Sequence, residues 1–111
     1  MLDLQIWEIY EADVPFREDE TKSKKRPVLI ISPTEVLVLK LTTHGHSDKP
    51  NPLEYEISKW AEAGLETKTF IECDRYVQLG IERFTGRKYG RLQLTDIILL
   101  RQMMQFHGLT L

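Results

Sequence analysis

Apolar positions along the chain fall into short runs, most of which repeat every second residue rather than every third or fourth. From Leu4 to Tyr10, Ile6, Trp7 and Ile9 are interspersed with Gln5 and Glu8, which predicts a half-buried strand. Asp13 to Arg26 is polar and without periodicity, so it reads as a long mobile loop. Such a loop is uncommon in a small domain unless it serves a function. Pro27 then opens Val28-Leu29-Ile30-Ile31, the continuous apolar run of a strand buried on both faces. Ser32-Pro33-Thr34 is a turn, and Glu35 to Thr42 a second strand. In that strand Leu37, Leu39 and Leu41 point one way, and Val36, Val38, Lys40 and Thr42 the other.

A Gly/Pro-rich loop follows from Thr43 to Pro52, and Leu53 to Ile57 resumes a strand. Ser58 is placed to cap a short helix through Trp60 and Ala63, with Gly64 as its left-handed stop. Thr69 to Leu79 is strand-like, Phe70 alternating with Glu72 and Asp74. The long helix is expected from a Thr95 cap, with Asp96 in its first turn and Gly108 as terminator. Together these elements predict a mainly β fold: a small antiparallel barrel or highly curved sheet with a C-terminal helix packed across it.

Composition narrows the function classes. A length of 111 residues fits a single domain spanning 1–111, and 41% hydrophobic with 29% charged residues is an ordinary globular balance. No apolar run approaches the ~20 residues that span a bilayer. The acidic N-terminal stretch lacks the basic start of a signal peptide. Cys73 is the one cysteine, which fits a reducing, cytoplasmic setting and excludes a disulfide scaffold.

The net charge of −2 argues at face value against nucleic acid. It hides alternating blocks, however. Residues 1–21 and 50–74 are acidic, whereas residues 22–49 and 75–111 are basic. A basic surface on an acidic molecule is therefore open, alongside mutual neutralisation of the blocks across the fold.

Two constellations could carry chemistry. His44-x-His46-x-Asp48 sets alternate side chains of an extended loop on one side. A metal site would need further ligands, and only His107 and Cys73 remain as candidates, so a solvated polar loop is the favoured reading and no metal is expected. The same imidazoles suit acid or base work near neutrality. Lys22-x-Lys24-Lys25-Arg26 is the second constellation. A basic loop tip is usually a solvated face, but Arg26 abuts Pro27 and a rigid strand, where a planar phosphate-binding fork would be placed.

Val14-Pro15-Phe16, Lys25-Arg26-Pro27-Val28-Leu29-Ile30-Ile31 and Leu39-Lys40-Leu41-Thr42-Thr43 resemble, in that order, the PemK/MazF-like toxins of type II toxin–antitoxin systems. Ile57 to Leu65 looks like a short Trp-containing helix of one branch of the family. Phe70-Ile71-Glu72-Cys73-Asp74 and Tyr89-Gly90-Arg91-Leu92-x-x-x-Asp96 match its later strand and the start of its last helix. The resemblance runs over nearly the whole chain, and it is the order and spacing that make it specific.

The resemblance implies an SH3-like barrel of the PemK/MazF/CcdB kind that forms a homodimer in the bacterial cytoplasm. It implies cleavage of single-stranded RNA at short sequences without metal or cofactor, with an antitoxin protein as partner. By the same resemblance Arg26 and Thr42 line the active groove and Asp74 is the general base. In this arrangement Arg26 would meet the charge on phosphorus, Thr42 would donate to a phosphate oxygen, and His44 or His46 would protonate the leaving 5′-oxygen. Lys24, Lys25, Lys40, Thr43, His46 and Arg75 are the expected RNA contacts. One departure is chemical: where family members that use this Asp carry an Arg two residues earlier, this chain has Glu72. Arg75 or Lys40 would have to replace that cation. A reading from another class is a non-catalytic barrel that binds a protein target such as DNA gyrase through the apolar tail Phe106–Leu111, or an inactive relative kept for regulation.

Overall fold

In a computed structural model, residues 3–44 and 53–109 are described. Among the described residues seven strands carry the fold: β1 (Glu8–Pro15), β2 (Ser23–Ser32), β3 (Leu37–Thr42), β4 (Glu54–Glu56), β5 (Phe70–Glu72), β6 (Val77–Gln78) and β7 (Phe84–Arg91). A short 3-10 turn, Ile81–Arg83, precedes β7, and the helix α1 (Leu94–Phe106) is the last element described. The strands form one antiparallel sheet in the order β4-β5-β3-β2-β1-β7, with β6 paired to the start of β3. The sheet curls without closing: among the described residues β4 and β7 are not paired with each other.

The gap between those edges is covered by residues 57–65. There the backbones of Gly64 and Gly90 pass so closely that a Cβ on Gly64 would lie 1.9 Å from the Tyr89 carbonyl oxygen. Gly64 also has φ +94°, the left-handed conformation expected of it. The helix expected over this segment is instead a run of turns, closed by Leu65 N–H donating to the Trp60 carbonyl at 3.0 Å.

The β-branched run of β2 is buried on both faces, as its pattern predicts. Leu29 and Ile31 join Ile9, Leu39, Leu41, Ile71 and the helix residues Ile97, Leu100 and Met104 in the main core. Val28 and Ile30 join Tyr10, Val14, Val38 and Leu79 in a smaller core on the opposite face. The alternation along β3 is likewise as expected, Leu39 and Leu41 entering the main core and Val38 the smaller one.

Several boundaries differ from the sequence reading; the stretch Thr69 to Leu79 holds two short strands, Phe70–Glu72 and Val77–Gln78, rather than one. The first strand starts at Glu8 rather than Leu4, because Trp7 takes φ +72° to bury its ring while its N–H donates to Ile30 O at 2.8 Å. The expected loop over 13–26 shrinks to 16–22. Asp13, Val14 and Pro15 pair with Lys25, Lys24 and Ser23, so the stretch is the end of a hairpin held by backbone bonds, with Val14 reaching the smaller core. The helix begins at Leu94 with Gln93 as its N-cap, and no side chain caps it there. Thr95 therefore lies inside the helix.

Asp96 has a different task. Burial raises its pKa, but the Tyr55 hydroxyl, the Ser58 and Lys59 backbone N–H groups and the Ser58 hydroxyl outweigh that and hold its carboxyl below the ordinary value. Those four donors lie at 2.6 to 2.9 Å. The helix is thus stapled to the 57–65 turns by a capping carboxylate from another element. Among the described residues no helix is long and apolar enough to cross a membrane.

Candidate active site

Strand register decides which polar side chains meet. Val28 pairs with Lys40, and Leu41 and Thr42 pair with Ile71 and Phe70. Two steps along β2, Arg26 falls beside Thr42; one step along β5, Glu72 falls beside Lys40. Arg26, Lys40, Thr42 and Glu72 consequently share one face of three adjacent strands, the face whose continuation carries the smaller core.

Arg26 is fixed by the protein itself. Its Nε and Nη2 both donate to the Leu41 carbonyl oxygen, at 3.0 and 2.8 Å. With this anchor the guanidinium borders a groove of about 230 Å³ lined by Lys24, Lys25, Thr42, Thr43 and His44. Thr42 Oγ1 accepts the His44 backbone N–H at 3.1 Å, which shapes the turn leaving β3 and leaves its own O–H as a donor. The groove thus gathers most of the residues singled out from the sequence. His46, with Asp48, lies outside the described residues.

A second depression, of about 160 Å³, is lined by Arg17, Lys40, Glu54, Glu72 and Asp74. Glu72 links the two: its Oε2 is 3.6 Å from Arg26 Nη2 and 3.6 Å from Lys40 Nζ. Asp74 Oδ2 is instead 3.3 Å from Arg17 Nη1. Arg75 does not join the groove; it lines a depression of about 430 Å³ with Phe16, Tyr76 and Arg83. Of the two cations considered as replacements for the missing Arg, it is therefore Lys40 that reaches the site. Of the two outcomes open to the charge blocks, the second holds in part here, since the acidic block contributes Glu54, Glu72 and Asp74 right beside the basic groove.

The family model for the PemK-like, MazF-like toxin of type II toxin–antitoxin systems matches residues 5–106. The chain belongs to this family. No curated protein matches it by sequence. Among solved structures, the Mycobacterium tuberculosis toxin MazF-mt6 is 20% identical, with a TM-score of 0.62 over 92% of this chain and 99% of that one. An endoribonuclease in complex with its cognate antitoxin, from a mycobacterial species, is 13% identical with a TM-score of 0.67, covering 98% and 99%. A MazE–MazF structure from Deinococcus radiodurans is 14% identical with a TM-score of 0.66, covering 99% and 100%. Identities this low show the shared fold, the curled antiparallel sheet with a C-terminal helix.

For a MazF-like toxin, two residues the sequence reading left in doubt have clear local settings. Cys73 is fully buried, and burial pushes its thiol up to about 12, so it is a core residue. Among the described residues no group of three His, Cys, Asp or Glu side chains is placed to hold a metal ion. The apolar tail begins as part of the fold, Leu109 packing half-buried against the main core.

Arg17 was missed from the sequence as a partner of Asp74, because 57 residues separate them and no local pattern links them.

Proposed function

We propose that this MazF-like toxin is a single-domain, metal-independent endoribonuclease that cuts single-stranded RNA in the cytoplasm at short specific sequences. The observation that carries the reading is the Arg26 guanidinium, fixed by the Leu41 carbonyl at a groove that also holds Thr42 and His44. Cleavage through the ribose 2′-OH requires a cation for the charge growing on phosphorus, a base for the hydroxyl proton and an acid for the departing 5′-oxygen. Arg26 is the cation and Thr42 a donor to a phosphate oxygen. His44, exposed at the groove, is the acid. A carboxylate of the adjoining depression takes the hydroxyl proton, and the products are a 2′,3′-cyclic phosphate and a 5′-hydroxyl. Lys24, Lys25, Lys40 and Thr43 hold the RNA backbone through charge and hydrogen bonds.

Two partners fit the surface. The exposed apolar residues of α1, Leu94, Ile98 and Phe106, support a homodimer that covers them. An acidic antitoxin segment would complement the basic groove. The test is incubation of the purified chain with a long unstructured transcript in EDTA. Discrete fragments with reproducible ends are expected; intact RNA at micromolar protein overturns the reading.

A further inference from the structure

We infer that Glu72, rather than Asp74, is the general base of the cleavage, an assignment that rests on the ribonuclease reading. Glu72 is the carboxylate in contact with Arg26, and it sits between that guanidinium and the Lys40 ammonium at 3.6 Å from each. Asp74 lies beyond, with Arg17 as its ion-pair partner. A ribose 2′-OH lies within a few ångströms of the phosphate on the neighbouring 3′-oxygen. A base for it must therefore stand beside whatever holds that phosphate. Arg26 is fixed by Leu41 and cannot swing toward Asp74 without breaking two hydrogen bonds.

The charge arithmetic favours the same residue. With Glu72 ionised, Arg26 and Lys40 present a net charge of about +1, enough for a phosphodiester monoanion. Proton uptake by Glu72 neutralises it at the moment when attack turns the monoanion into a dianionic phosphorane. Both cations are then released to the new charge, so the site binds the transition state better than the substrate. The steps balance. Glu72 Oε2 takes the 2′-OH proton, the 2′-oxygen bonds to phosphorus, the bond from phosphorus to the 5′-oxygen breaks, and the His44 imidazolium protonates that oxygen. The charged groups around Glu72 are Lys40 from β3, Arg26 from β2, Glu54 opposite it on β4, and the Asp74–Arg17 pair.

The test compares wild type, Glu72→Gln, Glu72→Asp and Asp74→Asn on an RNA whose cut site has been mapped. Binding is measured on the same RNA carrying a 2′-deoxy nucleotide at that site. Glu72→Gln is expected to lower kcat by roughly 10²- to 10⁴-fold, the usual worth of a general base. It should at the same time bind the uncleavable RNA more tightly, because a repelling charge is gone. Glu72→Asp is expected to recover part of the lost rate, and Asp74→Asn to lose less than Glu72→Gln. Glu72→Gln cutting as fast as wild type, or Asp74→Asn costing more in kcat than Glu72→Gln, overturns the assignment while leaving the ribonuclease reading intact. A wild-type chain that cuts no RNA overturns both.

Discussion

Arg26 donates twice to a single acceptor, the carbonyl oxygen of Leu41, with its Nε at 3.0 Å and its Nη2 at 2.8 Å. This bond links β2 and β3 where their ladder ends, and it turns a flexible surface arginine into a fixed one. A lysine would keep the charge but lose the planar fork. Arg26→Lys is therefore expected to lower kcat/KM at least tenfold, or about 1.4 kcal/mol, and Arg26→Ala further still. Far-ultraviolet circular dichroism should be unchanged in both. Full activity in Arg26→Lys would show that charge alone suffices.

Asp96 makes the stability of the fold depend on acid. Its folded pKa lies below the ordinary 3.8, because four donors outweigh the effect of burial. Its contribution is therefore complete above that ordinary value and lost as pH falls through the lower, folded one. Glu8 behaves alike: burial raises its pKa, but Lys88, the Gln5 N–H and the Tyr10 hydroxyl lower it further. Asp96→Ala leaves the Tyr55 and Ser58 hydroxyls and two turn N–H groups without their acceptor, at a cost of roughly 3 kcal/mol. Thermal melts between pH 3 and 7 should show the difference between Asp96→Ala and wild type shrinking toward acid. A constant difference would contradict the staple.

Two left-handed glycines separate strain from collision. Gly64, at φ +94°, faces the Tyr89 carbonyl, whereas Gly86, at φ +95°, faces open space. Gly86→Ala should cost only the conformational penalty of about 1 kcal/mol. Gly64→Ala adds a backbone clash at the seam between the turns and β7, and should yield insoluble or unfolded protein. Equal melting temperatures for the two variants would show that the seam can open.

The strands of the core were legible because burial imposes a period. Val28 to Ile31 shows as an unbroken apolar run buried on both faces, and Leu37 to Leu41 declares its faces by alternation. The hairpin end was not legible: Asp13 to Pro15 and Ser23 to Lys25 are held by backbone pairing, and Val14, buried alone among polar neighbours, sets no period. The helix cap was misplaced by two residues, Thr95 for Gln93, since Thr95 and Asp96 look like a cap while Asp96 serves Ser58 and Lys59. At the site, Arg26 and His44 stood out in two separate stretches of sequence, and Thr42 entered only through the resemblance. The position of Glu72 between Arg26 and Lys40 needed the register of three strands, which no single stretch of sequence encodes.

The central claim is that RNA is cut by its own 2′-hydroxyl in the groove beside Arg26. The chemistry of the new ends tests this most directly. A short single-stranded RNA containing one mapped site is digested in EDTA, and the fragments are weighed by mass spectrometry. The account predicts a 2′,3′-cyclic phosphate on the upstream fragment and a 5′-hydroxyl on the downstream one, with no cleavage when the cut nucleotide is 2′-deoxy. A 5′-phosphate, or cleavage of the 2′-deoxy substrate, would contradict it.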